Sequence, residues 1–293
     1  MEISKVGVVG CGLMGHGIAQ ICAQAGWEVV VREVSQEKLD GGIGKISKQL
    51  ARAVEKGKAE QSDADAVRGR ITPTLEYSDL ADCDLVVEAI TEDLGMKLEM
   101  WKEVDQVVKD GATFATNTSS LAVADQAAVT KRADRFLGLH FFNPAQVMPL
   151  LEVVRADGTS EETLKLGFEL GEKLGKTTVA ARDNRGFIVN RLLVPYMLDA
   201  IRAHEEGIGS IEDIDTGMKA GASHPMGPLT LADFVGLDTL GSICDVLFDE
   251  FRERRFARPP TLRKMLSAGW YGRKSGMGFY DYSGDEPVPN RGI

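Results

Sequence analysis

His140 and Glu152 stand twelve residues apart, each in a run that is otherwise apolar: Gly138-Leu139-His140-Phe141-Phe142 and Leu150-Leu151-Glu152-Val153-Val154. A glutamate in a buried strand is costly unless it is paired, and His140 is an available partner. A carboxylate on an imidazole fixes its tautomer and stabilises its protonated form, which suits a general base taking a proton from a hydroxyl. The same two residues could equally be a satisfied pair in the core, and their types and spacing alone do not choose.

A second constellation is Gly10-Cys11-Gly12-Leu13-Met14-Gly15, placed between a strand-like run and a helical one. In that setting Gly10 permits a tight turn, Gly12 lets the backbone approach a pyrophosphate, and Gly15 lets helix and strand pack closely. The helix N-terminus adds free N–H groups and a partial positive charge. An acid is expected about 20 residues further on, and Glu33 stands there. Its carboxylate would accept from the adenosine ribose hydroxyls and repel a 2′-phosphate, so NAD is expected over NADP, with Arg32 beside it partly offsetting that repulsion. Asn117-Thr118-Ser119-Ser120 follows another strand-like run. Polar residues there line the ligand crevice of a parallel sheet or cap a helix, and both readings stay open. Of the other histidines, His16 and His204 read as surface or packing residues, and His224, in a proline-rich loop, as a residue of a substrate mouth. No cluster has metal-ligand spacing, so no metal is expected.

These residues need elements to hold them. Strand-like runs occur at Val6 to Val9, Trp27 to Val31, Leu85 to Ala89, Thr113 to Ala115, Phe136 to Leu139, Leu150 to Val154 and Thr177 to Ala181, with helical stretches between most of them. Such alternation implies an α/β fold with a mostly parallel sheet and helices on both faces, of Rossmann type. Leu39 to Arg70 carries no strand signal, and Ile43, Ile46, Leu50 and Ala53 recur at helical spacing, which predicts a helical insertion built as a hairpin. Lys38, Lys45, Lys48, Arg52, Lys56 and Lys58 gather on it. By composition alone that run is a solvated face. Past Gly186 the pattern turns helical: a broad apolar stripe from Ile188 to Ile201 with Pro195 inside it, then helices at about Ile211 to Ala220, Leu229 to Glu253 and Thr261 to Ala268. The expected organisation is residues 1–186 as a dinucleotide-binding domain and 187–293 as an all-helical substrate and dimerisation domain, with a homodimer formed through its apolar helices.

Composition narrows the classes. With 34 basic and 44 acidic residues the net charge is −10, the wrong sign for a nucleic-acid binder. The 43% hydrophobic and 27% charged residues are ordinary for a globular protein. The chain passes from Met1 into a strand-like run without a signal peptide, and no apolar run reaches the roughly 18 residues of a membrane span. Cys11, Cys22, Cys83 and Cys244 show no paired spacing and are expected as reduced thiols in a cytoplasmic protein.

The segments GCGLMGHGIAQ, VVEAITED, TNTSSL, LHFFNPAQVMPLLEVV, DNRGFIVNRLLVPY, HPMGPLTLADFVGLDT and GRKSGMGFYDY, in this order, resemble the 3-hydroxyacyl-CoA dehydrogenase family over nearly the whole chain. The resemblance implies a stand-alone enzyme of fatty acid metabolism. It would oxidise the hydroxyl of an (S)-3-hydroxyacyl-CoA with NAD, reversibly, and most resembles members acting on a short-chain substrate such as 3-hydroxybutyryl-CoA. It implies His140 as catalytic base, Glu152 as its carboxylate partner, and Ser119 and Asn190 as polar contacts of the substrate. For NAD it implies Gly10, Gly12, Leu13, Met14 and Gly15, with Glu33, Glu92, Lys97, Asn117, Ser119, Asn143 and Lys274. Lys56, with Gln49, falls where the family meets coenzyme A, which turns the basic helix from a solvated face into a docking surface. Arg185, Pro149, Glu33 and Gln49 stand where the family more often has proline, a basic residue, aspartate and serine; none touches the His–Glu pair. The rival readings are a dehydrogenase of a free hydroxy acid or sugar acid on the same fold, and a binding protein that holds NAD without turnover.

Overall fold

The computed structural model describes residues 3–292, so Met1 lies outside the described residues. Two compact units divide the chain, Met1–Phe187 and Ile188–Ile293.

The first unit starts with β1 (Lys5–Val9), α1 (Gly15–Gln24) and β2 (Glu28–Arg32). The helical hairpin α2 (Gln36–Glu55) and α3 (Gln61–Gly69) follows, then β3 (Ile71–Thr74), β4 (Leu85–Glu88), α4 (Leu94–Val107), β5 (Thr113–Thr116) and α5 (Val123–Ala127). β6 (Phe136–Phe141), β7 (Leu150–Arg155), α6 (Glu161–Lys173) and β8 (Thr177–Arg182) complete it. The eight strands form one sheet in the order β3-β2-β1-β4-β5-β6-β7-β8. Every neighbouring pair is parallel except β6 with β7. Strand side chains alternate between faces, and both faces are covered, as parallel sheets require. Val6, Val8, Val29 and Val31 join Ile18, Ile46 and Leu50 in one core. Val9, Val30 and Val86 join Met100, Trp101, Val104 and Phe114 in the other.

β3 is an addition to the strands read from the sequence. It holds Pro73 and pairs with β2 alone, at the end of the sheet order. An edge is where a strand tolerates proline, because a missing N–H costs no ladder bond on the outer side. The sequence pattern of Ile71-Thr72-Pro73-Thr74 is therefore weak for a physical reason.

The second unit contains α7 (Val189–Glu205), α8 (Ile211–Gly221), α9 (Pro228–Val235), α10 (Leu237–Phe251) and α11 (Pro260–Ser267), then β9 (Tyr280–Asp281) and β10 (Val288–Pro289). Two expectations need correction. The helix read from Leu229 to Glu253 is two helices, broken at Gly236, whose φ of +96° a helix cannot contain. The unit is also not wholly helical, since β9 and β10 pair antiparallel. Strands this short fall below any periodicity signal and persist through side-chain anchors. Asp233 on α9 accepts from the N–H groups of Phe279 and Tyr280 and from the Tyr282 hydroxyl.

Burial outweighs those three donors and, with the nearby Asp215 charge, pushes the Asp233 carboxyl up to about 6. A carboxyl raised on folding gives its full stabilisation below its ordinary value and loses it as pH rises through the folded value. The wild-type unfolding midpoint is therefore expected to fall between pH 4 and 7 more steeply than that of Asp233→Asn. Parallel thermal profiles of the two proteins across that range would remove this account of the anchor.

Candidate active site

The link between β6 and β7, residues 142–149, carries no helix, and a parallel return needs a crossover of a dozen or more residues. The chain therefore doubles back, and the antiparallel register sets His140 directly opposite Glu152. Opposite residues of such a pair lie within side-chain reach. His140 Nδ1–H donates to Glu152 Oε2 at 2.5 Å. Glu152 is 0% exposed and His140 5% exposed. The Phe142 and Phe187 rings lie 4.6 and 5.5 Å from the imidazole, centroid to centroid. An ionised carboxylate can only accept, so the proton stays on Nδ1 and Nε2 keeps its lone pair. A neutral imidazole with a free nitrogen and a buried anion behind it can take a proton and hold it.

The end of β6 is tied to the end of β5. Asn117 Oδ1 accepts from Phe141 N–H at 2.9 Å, so the residue after the catalytic candidate is pinned by the loop that carries Ser119. That loop is itself gathered onto one oxygen. Glu92 Oε1 accepts from the Thr118 hydroxyl at 2.6 Å, from Ser119 N–H at 2.8 Å and from Ser120 N–H at 3.1 Å. Burial acts to raise the Glu92 carboxyl, but the Lys97 charge and the Thr118 and Ser119 donors outweigh it and hold it down at about 2. Lys97, on α4, is 1% exposed, with its Nζ 2.6 Å from Glu88 Oε1 and 3.1 Å from Glu92 Oε2. Glu88, at the end of β4, is 0% exposed and also accepts from Ile90 N–H and the Thr116 hydroxyl.

The glycine loop fits a dinucleotide. Gly10 has φ +98°, and a Cβ there would lie 2.6 Å from the Ala89 carbonyl oxygen. A Cβ on Gly15 would lie 1.8 Å from the Gly10 carbonyl oxygen, so α1 and the turn need that glycine for their own packing. A Cβ on Gly12 would meet nothing within 4 Å, so the chain's own packing does not demand glycine there. A pyrophosphate held against the backbone would demand it. Leu13 is exposed and Met14, the residue that precedes α1, provides no side-chain cap, which leaves first-turn N–H groups for an anion. Glu33 accepts from Cys11 N–H at 2.9 Å through one oxygen and from Val34 N–H at 2.8 Å through the other. Each oxygen retains a further lone pair for a ribose hydroxyl. Arg32 is turned onto the Tyr77 ring at 3.8 Å, with its Nε on the Leu75 carbonyl, so its charge is already engaged.

The remaining expected residues fall elsewhere. Asn143 is exposed just beyond β6. Gln49 and Lys56 lie on α2 and at its C-terminal end, and all six basic residues of that segment are exposed with no ion pair among the described residues. Asn190 is half-buried on the first turn of α7 in the second unit, where exposed Lys274 pairs with Asp238 at 2.6 Å. His224 Nδ1 meets the Tyr196 hydroxyl at 2.9 Å. Sequence reasoning missed Glu88, although an acid ending an apolar strand carries the same signal that exposed Glu152. His16, read as a surface or packing residue, is a packing residue, 7% exposed and bonded on both ring nitrogens. Burial pushes all four cysteine thiols up to about 12, which keeps them unreactive. Among the described residues no cluster could hold a metal ion, and no helix is long and apolar enough to cross a membrane.

Comparison with known proteins adds independent findings. Residues 5–184 match the family model described as 3-hydroxyacyl-CoA dehydrogenase, NAD binding domain, and residues 186–282 match 3-hydroxyacyl-CoA dehydrogenase, C-terminal domain. The chain is similar to a 3-hydroxybutyryl-CoA dehydrogenase of Mycobacterium tuberculosis, 48% identical over 96% of this chain and 99% of the relative. The crystal structure of M. tuberculosis FadB2 superposes with a TM-score of 0.94 at 48% identity, covering 97% of this chain and 100% of that one. That of (S)-3-hydroxybutyryl-CoA dehydrogenase PaaH1 from Ralstonia eutropha gives 0.92 at 41% identity, with the same coverage of 97% and 100%.

Proposed function

The chain belongs to the 3-hydroxyacyl-CoA dehydrogenase family, and from that premise we propose that it interconverts short-chain (S)-3-hydroxyacyl-CoA and 3-ketoacyl-CoA, with 3-hydroxybutyryl-CoA as its representative substrate. It is an NAD-dependent oxidoreductase. The observation that carries the reading of the reaction is the buried His140–Glu152 pair, set by strand register in the same sheet that carries the glycine loop.

Oxidising a secondary alcohol needs a base for the hydroxyl proton and an acceptor for hydride. NAD, held by the glycine loop and Glu33, supplies the hydride acceptor when bound. His140 Nε2 takes the hydroxyl proton, and Glu152 balances the imidazolium that forms. Phe142 and Phe187 keep water off the ring. Ser119, set by the Glu92 clasp, and Asn190 hold the substrate's oxygens and fix C3 in place, a positioning effect. Glu92 shapes the cofactor side of the crevice, and Lys97 acts through Glu92, since both of its contacts are carboxylates. Asn117, Asn143 and Lys274 complete the cofactor contacts. Lys56, at the C-cap of α2, with Gln49 two turns before it, meets coenzyme A.

The second unit serves substrate binding and a homodimer. Leu192, 70% exposed, and Ile208, 73% exposed, supply apolar surface for a second copy. A cytoplasmic setting suits four buried free thiols. The free hydroxy acid reading is disfavoured by the exposed basic face of α2, for which a small free acid has no use.

The test is oxidation of NADH, followed by loss of absorbance, in the presence of acetoacetyl-CoA, with free acetoacetate in parallel. Turnover is expected with the CoA ester alone. Turnover with the free acid instead moves the assignment to the rival class, and failure with every ketoacyl-CoA removes the substrate reading.

A further inference from the structure

His16 does work that neither its type nor its place in α1 announces. Its Nδ1–H donates to the Gly12 carbonyl at 2.6 Å. A carbonyl can only accept, so Nδ1 holds the proton and Nε2 is left as acceptor. Nε2 faces the side-chain amide nitrogen of Gln49 at 3.3 Å. The imidazole thus bridges the glycine that approaches the pyrophosphate and the middle of the basic helix. The Gln49 amide oxygen is buried with no hydrogen-bond partner among the described residues, so little besides His16 holds that side chain.

A second contact ties the same two parts. A Cβ on Gly42 would lie 2.3 Å from Cys11 Sγ and 2.4 Å from the Cys11 carbonyl oxygen, so α2 rests on the backbone of the glycine loop. Gly42 and Gln49 are seven apart, two turns, and share one stripe of the helix, and Lys56 follows at its C-cap. A rigid helix carries displacement along that stripe: what moves Gly12 moves Gln49, and with it the docking face at Lys56. The charged groups near this junction are Glu33, bonded to Cys11 N–H, and Lys45 on α2, both of which act electrostatically on Cys11.

We propose that His16 is a positioning residue that couples the two ligand sites of the first unit, so that dinucleotide bound on the glycine loop and coenzyme A docked on α2 strengthen one another through the Gly12–His16–Gln49 chain. Coupling is reciprocal in free energy. Each ligand that orders the chain lowers the cost of ordering it for the other. This rests on the proposed docking of coenzyme A on α2.

NAD and acetoacetyl-CoA are both oxidised, so they bind together without turnover. The affinity of the intact protein for acetoacetyl-CoA is measured by calorimetry without NAD and with NAD at saturation. In wild type, NAD tightens the ester at least about fivefold, the lower range of measured couplings. His16→Ala weakens NAD and brings that ratio to one. His16→Asn carries an N–H near the position of Nδ1 and cannot reach Gln49. It recovers NAD affinity while the ratio stays at one, a split that a merely structural role would not produce. Gln49→Leu also brings the ratio to one, and it keeps the proposal testable if alanine at position 16 fails to fold. A wild-type ratio of one, or an unchanged ratio in His16→Asn or Gln49→Leu, overturns the coupling. Failure of the docking reading looks different: Lys56→Ala would then bind acetoacetyl-CoA as tightly as wild type, with or without NAD.

Discussion

Replacing His140 with alanine lowers turnover by at least about 10²- to 10⁴-fold, the usual contribution of a positioned general base, while NAD affinity stays near that of wild type. The cofactor loop is built from β1, α1 and β2, and His140 stands on β6, so the substitution removes the proton acceptor without touching the cradle. Glu152→Gln is expected to cost nearly as much. Glutamine can turn its amide N–H toward Nδ1. The ring then carries its proton on Nε2, the nitrogen that must be free. The corresponding exchange in a serine protease triad lowers turnover about 10⁴-fold for the same reason. Residues that act as one device are not additive, so His140→Ala with Glu152→Gln should be barely slower than His140→Ala alone. Steady-state turnover of NADH with acetoacetyl-CoA, alongside NADH binding by fluorescence, measures all of this. Near-normal turnover in His140→Ala removes the assignment, and two single losses that multiply in the double variant remove the pairing.

The second large effect is on stability. Lys97→Met leaves Glu88, 0% exposed, as a buried charge without its cation. Removing one partner of a buried ion pair costs about 3–5 kcal/mol, more than the pair itself contributes. For a unit of this size each kcal/mol lowers the melting point by about 2–4 °C, so a fall on the order of 10 °C is expected. Adding Glu88→Gln should recover most of it. The neutral amide keeps its oxygen as acceptor for the Ile90 N–H, turns its NH2 to the Thr116 hydroxyl oxygen, which can accept, and no longer leaves an unpaired charge. Thermal unfolding of the two single variants and the double completes a cycle. A double variant as unstable as the sum of the singles would mean that Lys97 holds the fold through its packed stem and not its charge.

Both experiments probe groups of unequal legibility. The glycine loop is local: three glycines, one strand and one helix within a few residues, with Glu33 at the distance set by one further helix and strand. Short-range spacing encodes such a site, so residues 10–33 could be read directly. His140 and Glu152 were legible as candidates because a charge in an apolar run demands a partner, whether for catalysis or for a satisfied pair in the core. Their pairing was also within reach, since residues 142–149 are too few for a parallel crossover and force the antiparallel turn.

The rest depended on which strand lies beside which. The sequence order of β1, β4 and β5 does not state that they are neighbours in the sheet. Only that adjacency brings Glu88, Glu92, Thr116 and the Ser119 loop to one end of it, with Lys97 beneath. His16 reads as an ordinary helix residue because nothing near it in the chain shows that α2 crosses the glycine loop at Gly42. The side chain's burial and both of its bonds follow from that crossing. Arg32 reads as a threat to NAD preference until β3 and the turn beyond it bring Tyr77 under its guanidinium. Periodicity and spacing, which act over one or two turns or strands, were enough to read most of the elements, the glycine loop and the two candidates His140 and Glu152, whose roles came from the family resemblance. Tertiary structure alone decided the network that holds them, because a buried charge is satisfied by whichever group the sheet order places within reach.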